Sequence, residues 1–205
     1  MFETARQVHA GGKELQDRAE VFWLGSKLVL ILADGAGGRS SRAEAAEFVI
    51  RQAKQILHSA DLSPNGLSEF LKSIDRQMVA DGNIGETTCV LTVLWQNSII
   101  GASVGDSGAW CVSPSGVDDL TCRQGRKPFL GTGGANPIGF ARDALVGTLL
   151  MASDGLLKYT SSECIAAAAL AANLENAAQN LIGLVRYASG ALPDDVSVLL
   201  ARNIC

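Results

Sequence analysis

Histidine is nearly missing from this chain, and the two it has, His9 and His58, lie far apart and match no ligand spacing. The five cysteines (Cys89, Cys111, Cys122, Cys164 and Cys205) are odd in number and form no C-x-x-C pair. That excludes a disulfide framework and a zinc site, and points to reduced thiols in a cytoplasmic protein. The strand-length apolar run at residues 28–33 and the alanine-rich run at residues 164–172 both fall well short of the roughly 18 residues a membrane helix needs. The start, Met1-Phe2-Glu3-Thr4-Ala5-Arg6, is polar and has no signal-peptide core. Basic clustering is absent too. The 17 Lys and Arg are scattered and the net charge is −4, so binding to nucleic acid through counterion release is not expected. Gly131-Thr132-Gly133-Gly134 lacks the Lys-Ser/Thr of a phosphate-binding loop. There is no C-x₅-R motif for a cysteine nucleophile.

What remains is an ordinary globular balance, 47% hydrophobic and 19% charged. No repeat, low-complexity block or linker divides it, so residues 1–205 read as one domain. Strands are expected at 2–8 and 19–24 around a Gly11-Gly12 turn, and at 27–33, where the near-continuous apolar run implies cover on both faces. Ser41 is a cap for a helix to about residue 58, with Ala45, Ala46, Val49, Ile50 and Ala53 on its apolar face. A second helix follows Ser63-Pro64-Asn65-Gly66. Strands at 88–95, 98–104 and 108–112 come next, the first two joined by a tight Gln96-Asn97 turn. Residues 113–143 read as irregular loop, 144–152 as strand, 162–188 as two helices and 195–201 as a last strand. Trp23, Trp95 and Trp110, in or beside strands, read as core. Consecutive strand runs with short turns favour antiparallel pairing. The expected fold is α+β: a four-layer αββα sandwich of two mostly antiparallel sheets, with helix pairs on both outer faces.

Four segments share one design, an apolar strand with an aspartate at its end: Asp34, Asp106 and Asp154 after their strands, and Asp194 before the last one. A lone Asp-Gly is a turn signal. Four strand-end carboxylates beside a core are a different matter, because without cations they would repel one another. Rigidly held oxygen donors suit hard divalent ions such as Mg²⁺ and Mn²⁺.

Ala33-Asp34-Gly35-Ala36-Gly37-Gly38, Gly105-Asp106-Ser107, Ala152-Ser153-Asp154-Gly155-Leu156 and Asp194-Asp195-Val196-Ser197-Val198 resemble the signature blocks of bacterial protein phosphatase 2C-type enzymes. Gly85-Glu86-Thr87-Thr88 and Leu15-Gln16-Asp17 resemble two further blocks, and all occur in the family's order. The resemblance implies hydrolysis of phosphoserine and phosphothreonine in protein substrates by a metal-bridging water, with Mn²⁺ or Mg²⁺ as cofactor. Two ions would be tight and a third weaker. Asp34 would bridge the two tight ions, and the Gly35 carbonyl would help hold the second. Asp154 and Asp194 would complete the first, Asp17 would lie by the second, and Asp106 would share the third with Asp154. Partners implied are phosphorylated proteins and a Ser/Thr kinase or its targets, in bacterial signalling. Two positions depart from the family: Gly12 stands where relatives have a phosphate-gripping Arg, with Lys13 and Arg18 as substitutes, and Ala36 stands where eukaryotic relatives have His. A pseudophosphatase that binds phosphoproteins or regulates a kinase is the alternative those departures suggest.

Overall fold

In chain order the elements begin with β1 (Phe2–His9), β2 (Arg18–Leu24), β3 (Lys27–Ala33) and the two-residue β4 (Gly35–Ala36). Then come α1 (Arg42–Ile56), running into a 3₁₀ turn (Leu57–Ser59), and α2 (Pro64–Asp81). Next are β5 (Glu86–Thr87), β6 (Cys89–Trp95), β7 (Ser98–Val104), β8 (Gly108–Ser113), β9 (Gly116–Asp119), β10 (Ile138–Arg142) and β11 (Thr148–Ala152). The chain closes with α3 (Asp154–Leu157), α4 (Ser162–Ala169), α5 (Leu174–Leu184) and β12 (Val196–Asn203). The computed structural model describes residues 1–36, 42–82 and 84–204. The expected cap Ser41, the glycines at 37 and 38, and Cys205 lie outside them.

Two five-stranded antiparallel sheets are formed, one in the order β1-β12-β11-β8-β9 and the other β10-β7-β6-β3-β2. The strand at 27–33 shows why its apolar run is unbroken. Leu28, Leu30 and Leu32 enter the core between the sheets, while Val29, Ile31 and Ala33 pack under α1 and α2. Successive strand side chains alternate faces, so cover on both faces demands apolar residues at every position. β12 repeats this in the other sheet, with Leu199 and Ala201 between the sheets and Val196, Val198 and Leu200 under α4 and α5. The result is the expected αββα sandwich.

Local chemistry fixes the helix ends. Ser63 caps α2 by accepting from the Gly66 N–H at 3.0 Å, with Pro64 in the first turn. Gly82 ends α2 in the left-handed region at φ 74°.

Three expectations are corrected. The stretch 113–143 is not wholly irregular: β9 pairs with β8, and β10 forms an edge strand on β7. β9 has no buried residue and β10 buries only Phe140, so neither gives the sequence the apolar run of a central strand. The strand expected at 144–152 starts only at Thr148, since Gly147 sits at φ 81° before it. Trp23 and Trp95 are not core; they are 57% and 44% exposed. Both lie where strands run past the sheet cover into turns, and Lys27 Nζ stacks over the Trp95 ring at 5.3 Å.

Candidate active site

Strand parity aims several polar side chains into one place. Ala19 and Val21 of β2 face the inter-sheet core, and stepping back by two along the chain reaches Asp17. Leu28, Leu30 and Leu32 lead on to Asp34 in the same way. In the opposing sheet, Leu149 and Met151 lead to Ser153, while Ala201 and Leu199 lead back to Ser197 and Asp195. Polar groups from both sheets therefore close the inter-sheet core at one pole. Asp154 and Asp194 lie next to Ser153 and Asp195, and Asp106 follows β7 at the same pole.

Asp17 is 0% exposed, and neither of its carboxylate oxygens has a hydrogen-bond partner. Burial pushes its pKa up to about 6; the nearby Ser197 and Ser153 hydroxyls and Asp34 offset only part of that, and the charge of Asp195 adds to the rise. Asp34 is pushed up to about 10, first by burial and then by the charges of Asp17, Asp154 and Asp194. Asp194 is also raised, chiefly by burial, with Asp154 and Asp195 adding repulsion against the lowering effect of the Asp195 N–H. These groups are held in an environment that rejects their ionised forms unless a cation is supplied.

Their backbones are tightly fixed. The Asp34 N–H donates to Thr88 Oγ1 at 3.1 Å, and its carbonyl accepts from the Thr87 hydroxyl at 2.8 Å and the Thr88 N–H at 2.9 Å. The next residue, Gly35, is buried and pairs with Thr87 across the β4–β5 ladder. Asp195 accepts the N–H groups of Gly11 at 2.8 Å, Gln16 at 2.5 Å and Asp17 at 3.4 Å. That one carboxylate folds the loop before β2 and presents Asp17. Gly11 and Gly155 press on the same pair of residues, and a Cβ on either would overlap the backbone of Asp194 or Asp195.

Cations line the outer side. Arg126 Nη2 donates to Asp106 Oδ2 at 3.0 Å. Lys158, one helical turn after Asp154, donates to Asp154 Oδ2 and stands 3.5 Å from Asp106 Oδ2. Burial pulls the Lys158 pKa down, but the bond to Asp154 and the charges of Asp154 and Asp106 leave it raised. A cleft of about 300 Å³ opens here, lined by Asp106, Trp110, Cys122, Arg126 and Lys158 among others.

The six aspartate and glycine residues anticipated from sequence thus gather at one pole. The two anticipated phosphate-binding cations behave differently. Lys13 is exposed in the bend at 11–14. Arg18 Nε pairs with Glu47 at 2.8 Å, and its Nη1 donates to the carbonyls of Leu15 and Asp17 at 3.0 and 2.8 Å. The glycine stretch at 131–134 is already filled. Asp75, 3% exposed, accepts the N–H groups of Gly131 (2.7 Å), Gly133 (3.1 Å) and Ala135 (3.1 Å). A carboxylate of the chain occupies that nest. Asp195, Arg126 and Lys158 were missed from sequence. Parity counted back from β12 through Ser197 would have found Asp195, and an i,i+4 spacing from Asp154 would have found Lys158.

The donors fit a hard divalent ion: two orphaned buried oxygens, oxygen ligands throughout, and repulsion that a bound cation relieves. Among the described residues, no group of three or more His, Cys, Asp or Glu side chains stands close enough together to hold a metal ion between them. Ions such as Mg²⁺ keep several waters and need only one or two carboxylates each.

No family model and no curated protein matches the chain. Solved structures do. A variant of a bacterial serine phosphatase superposes with TM-score 0.87 at 24% identity, covering 100% of this chain and 99% of that one. Serine/threonine phosphatase Stp1 from Staphylococcus aureus gives 0.84 at 22%, covering 100% and 96%. The catalytic domain of the serine/threonine protein phosphatase PstP, in complex with two manganese ions, gives 0.76 at 23%, covering 98% and 97%. The sandwich is therefore the fold of bacterial serine/threonine phosphatases.

Proposed function

Sharing the fold of these phosphatases and gathering carboxylates from both sheets at one pole, the chain is, we propose, a metal-dependent protein phosphatase acting on phosphoserine and phosphothreonine. The observation that carries this reading is the pair of unpartnered oxygens on Asp17, fully buried beside Asp34. A carboxylate in that position destabilises the fold unless it holds a cation. Asp34 would serve both ions, Asp154 and Asp194 would complete the first, and the Gly35 carbonyl and Asp17 would attend the second. When bound, a pair of Mn²⁺ or Mg²⁺ ions activates water and neutralises phosphoryl oxygens, so no Ser or Cys nucleophile is needed.

The chain's own residues orient and bind. Thr87 and Thr88 hold Asp34, Asp195 holds the loop carrying Asp17, and Ser153 accepts the Ser197 N–H at 3.0 Å to register the two blocks of the second sheet. Arg18, engaged by Glu47 and two carbonyls, fixes the loop. Lys13, exposed on that loop, supplies the positive charge for the substrate phosphate. The substrate is a phosphorylated protein, and PppA, described as a key regulatory component of a secretion system, shares the fold at 17% identity and TM-score 0.79. We extend a regulatory setting to this chain on that likeness.

The test is hydrolysis of an aryl phosphate and of a phosphoserine peptide with Mn²⁺, with EDTA, and in Asp34→Asn and Asp154→Asn. Turnover that needs metal and is lost in both variants is expected. Turnover undiminished in EDTA overturns the reading, and tight metal binding with no turnover on any phosphopeptide favours a phosphoprotein-binding pseudophosphatase.

A further inference from the structure

The carboxylates of Asp106 and Asp154 are joined by side chains of the chain itself. Lys158 Nζ bonds Asp154 Oδ2 and lies 3.5 Å from Asp106 Oδ2, while Arg126 Nη2 donates to that same Asp106 oxygen at 3.0 Å. The geometry is built from three sides. Asp154 opens α3 and Lys158 caps its C-terminus, the Lys158 N–H donating to the Asp154 carbonyl at 2.9 Å. Asp106 comes from the end of β7 in the opposite sheet. Arg126 comes from the long loop whose glycine stretch Asp75 ties to α2.

We propose that Lys158, assisted by Arg126, is the resident cation between Asp106 and Asp154, so that the chain holds two divalent ions and no third. The inference rests on the metal-dependent reading above and narrows it. Charge balance supports it. The carboxylates of Asp17, Asp34, Asp106, Asp154, Asp194 and Asp195 are matched by two divalent ions, one ammonium and one guanidinium. A third divalent ion would have to detach Lys158 from Asp154 and Arg126 from Asp106, or bring net positive charge into the cluster. A tethered ammonium also has an effective concentration that millimolar free metal does not match. The position therefore stays filled whatever the metal level of the medium.

The experiment is equilibrium titration of Mn²⁺ into the full chain, counting bound ions by the loss of the free-Mn²⁺ paramagnetic signal, with folding checked by circular dichroism. Wild type is expected to bind two ions. Lys158→Met, which keeps length and removes charge, is expected to bind a third, with a Kd about tenfold or more below any third binding in wild type. Lys158→Arg is expected to stay at two, and Arg126→Gln, a surface change, provides a second variant in which third-ion binding also tightens. A wild type that takes three ions as tightly as Lys158→Met overturns the inference while leaving the metal-dependent reading in place. Two ions in every variant overturns it as well. A wild type that binds no Mn²⁺ overturns both.

Discussion

Asp34 makes the pH behaviour of the metal-free protein unusual. Its folded pKa of about 10, against an ordinary value of 3.8, means that the folded state holds a proton the unfolded chain gives up. Stability is then full below about pH 4 for this group and falls as pH rises towards 10, with Asp17, raised to about 6, adding to the fall. Urea unfolding in EDTA should show lower stability at pH 8 than at pH 5. Asp34→Asn should flatten that slope and add about 2 kcal/mol or more at pH 8, while abolishing turnover. A single substitution that stabilises and inactivates is the signature of a charge held for an ion. At Lys13 the expected effect is on binding: Lys13→Ala should raise KM severalfold with a smaller change in kcat, since a rim cation acts on substrate and transition state alike. An unchanged KM would return phosphate binding to the ions. Of these residues, the strand-end aspartates were legible because each breaks an apolar run. Asp195 and Lys158 offered only strand parity and an i,i+4 spacing, and Arg126 offered no signal. Their roles depend on what stands opposite, and Arg126 meets Asp106 across 20 positions of chain.

At the scale of elements, the loop before β2 and the loop after β9 are each organised by one carboxylate accepting three N–H groups. Asp195→Ala removes the acceptor of Gly11, Gln16 and Asp17. It should cost about 2–4 kcal/mol, because hydrogen bonds to a charged acceptor are among the stronger ones and three donors lose a partner. Chemical denaturation measures the loss, and Mn²⁺ titration should show weaker binding through the displaced Asp17. Asp75→Ala should destabilise by a similar amount and leave the ion count unchanged. Helices α1 and α2 were legible from their 3.6-residue periodicity and the Ser63 cap, and β3, β6, β7 and β12 from apolar runs. β9 and β10 were invisible because their hydrogen bonds go to edges, and pairing of that kind leaves no hydrophobic pattern in the sequence. α3 was hidden for another reason: its N-terminal Ser153 accepts from Ser197 across the sheet and makes no local cap bond.

Seen whole, the layer order followed from the alternation of strand runs and helix pairs, since two-sided burial of β3 and β12 admits helices on both outer faces. Saturating Mn²⁺ should raise the unfolding free energy by about 2.7 kcal/mol for each ion bound at one hundred times its Kd, read as an upward shift in Tm that EDTA reverses. The two ends of the sandwich are fastened in opposite ways. Far from the aspartates, Asn203 of one sheet bonds Asn97 of the other, and the Leu145 N–H donates to the Asn97 carbonyl at 2.7 Å. Those are neutral contacts that hold under any ionic condition. The near end is closed by facing carboxylates, Asp17 and Asp34 from one sheet against Asp154, Asp194 and Asp195 from the other. Hydrogen bonds from Gly11, Gln16 and Asp17 to Asp195 and the Lys158 bridge hold this end only in part against the facing carboxylates, so added cations are expected to tighten it while the asparagine pole stays as it is. Amide exchange of metal-free protein should accordingly quicken at residues 17, 34 and 153–155 and stay slow around Asn97, with Mn²⁺ erasing the difference.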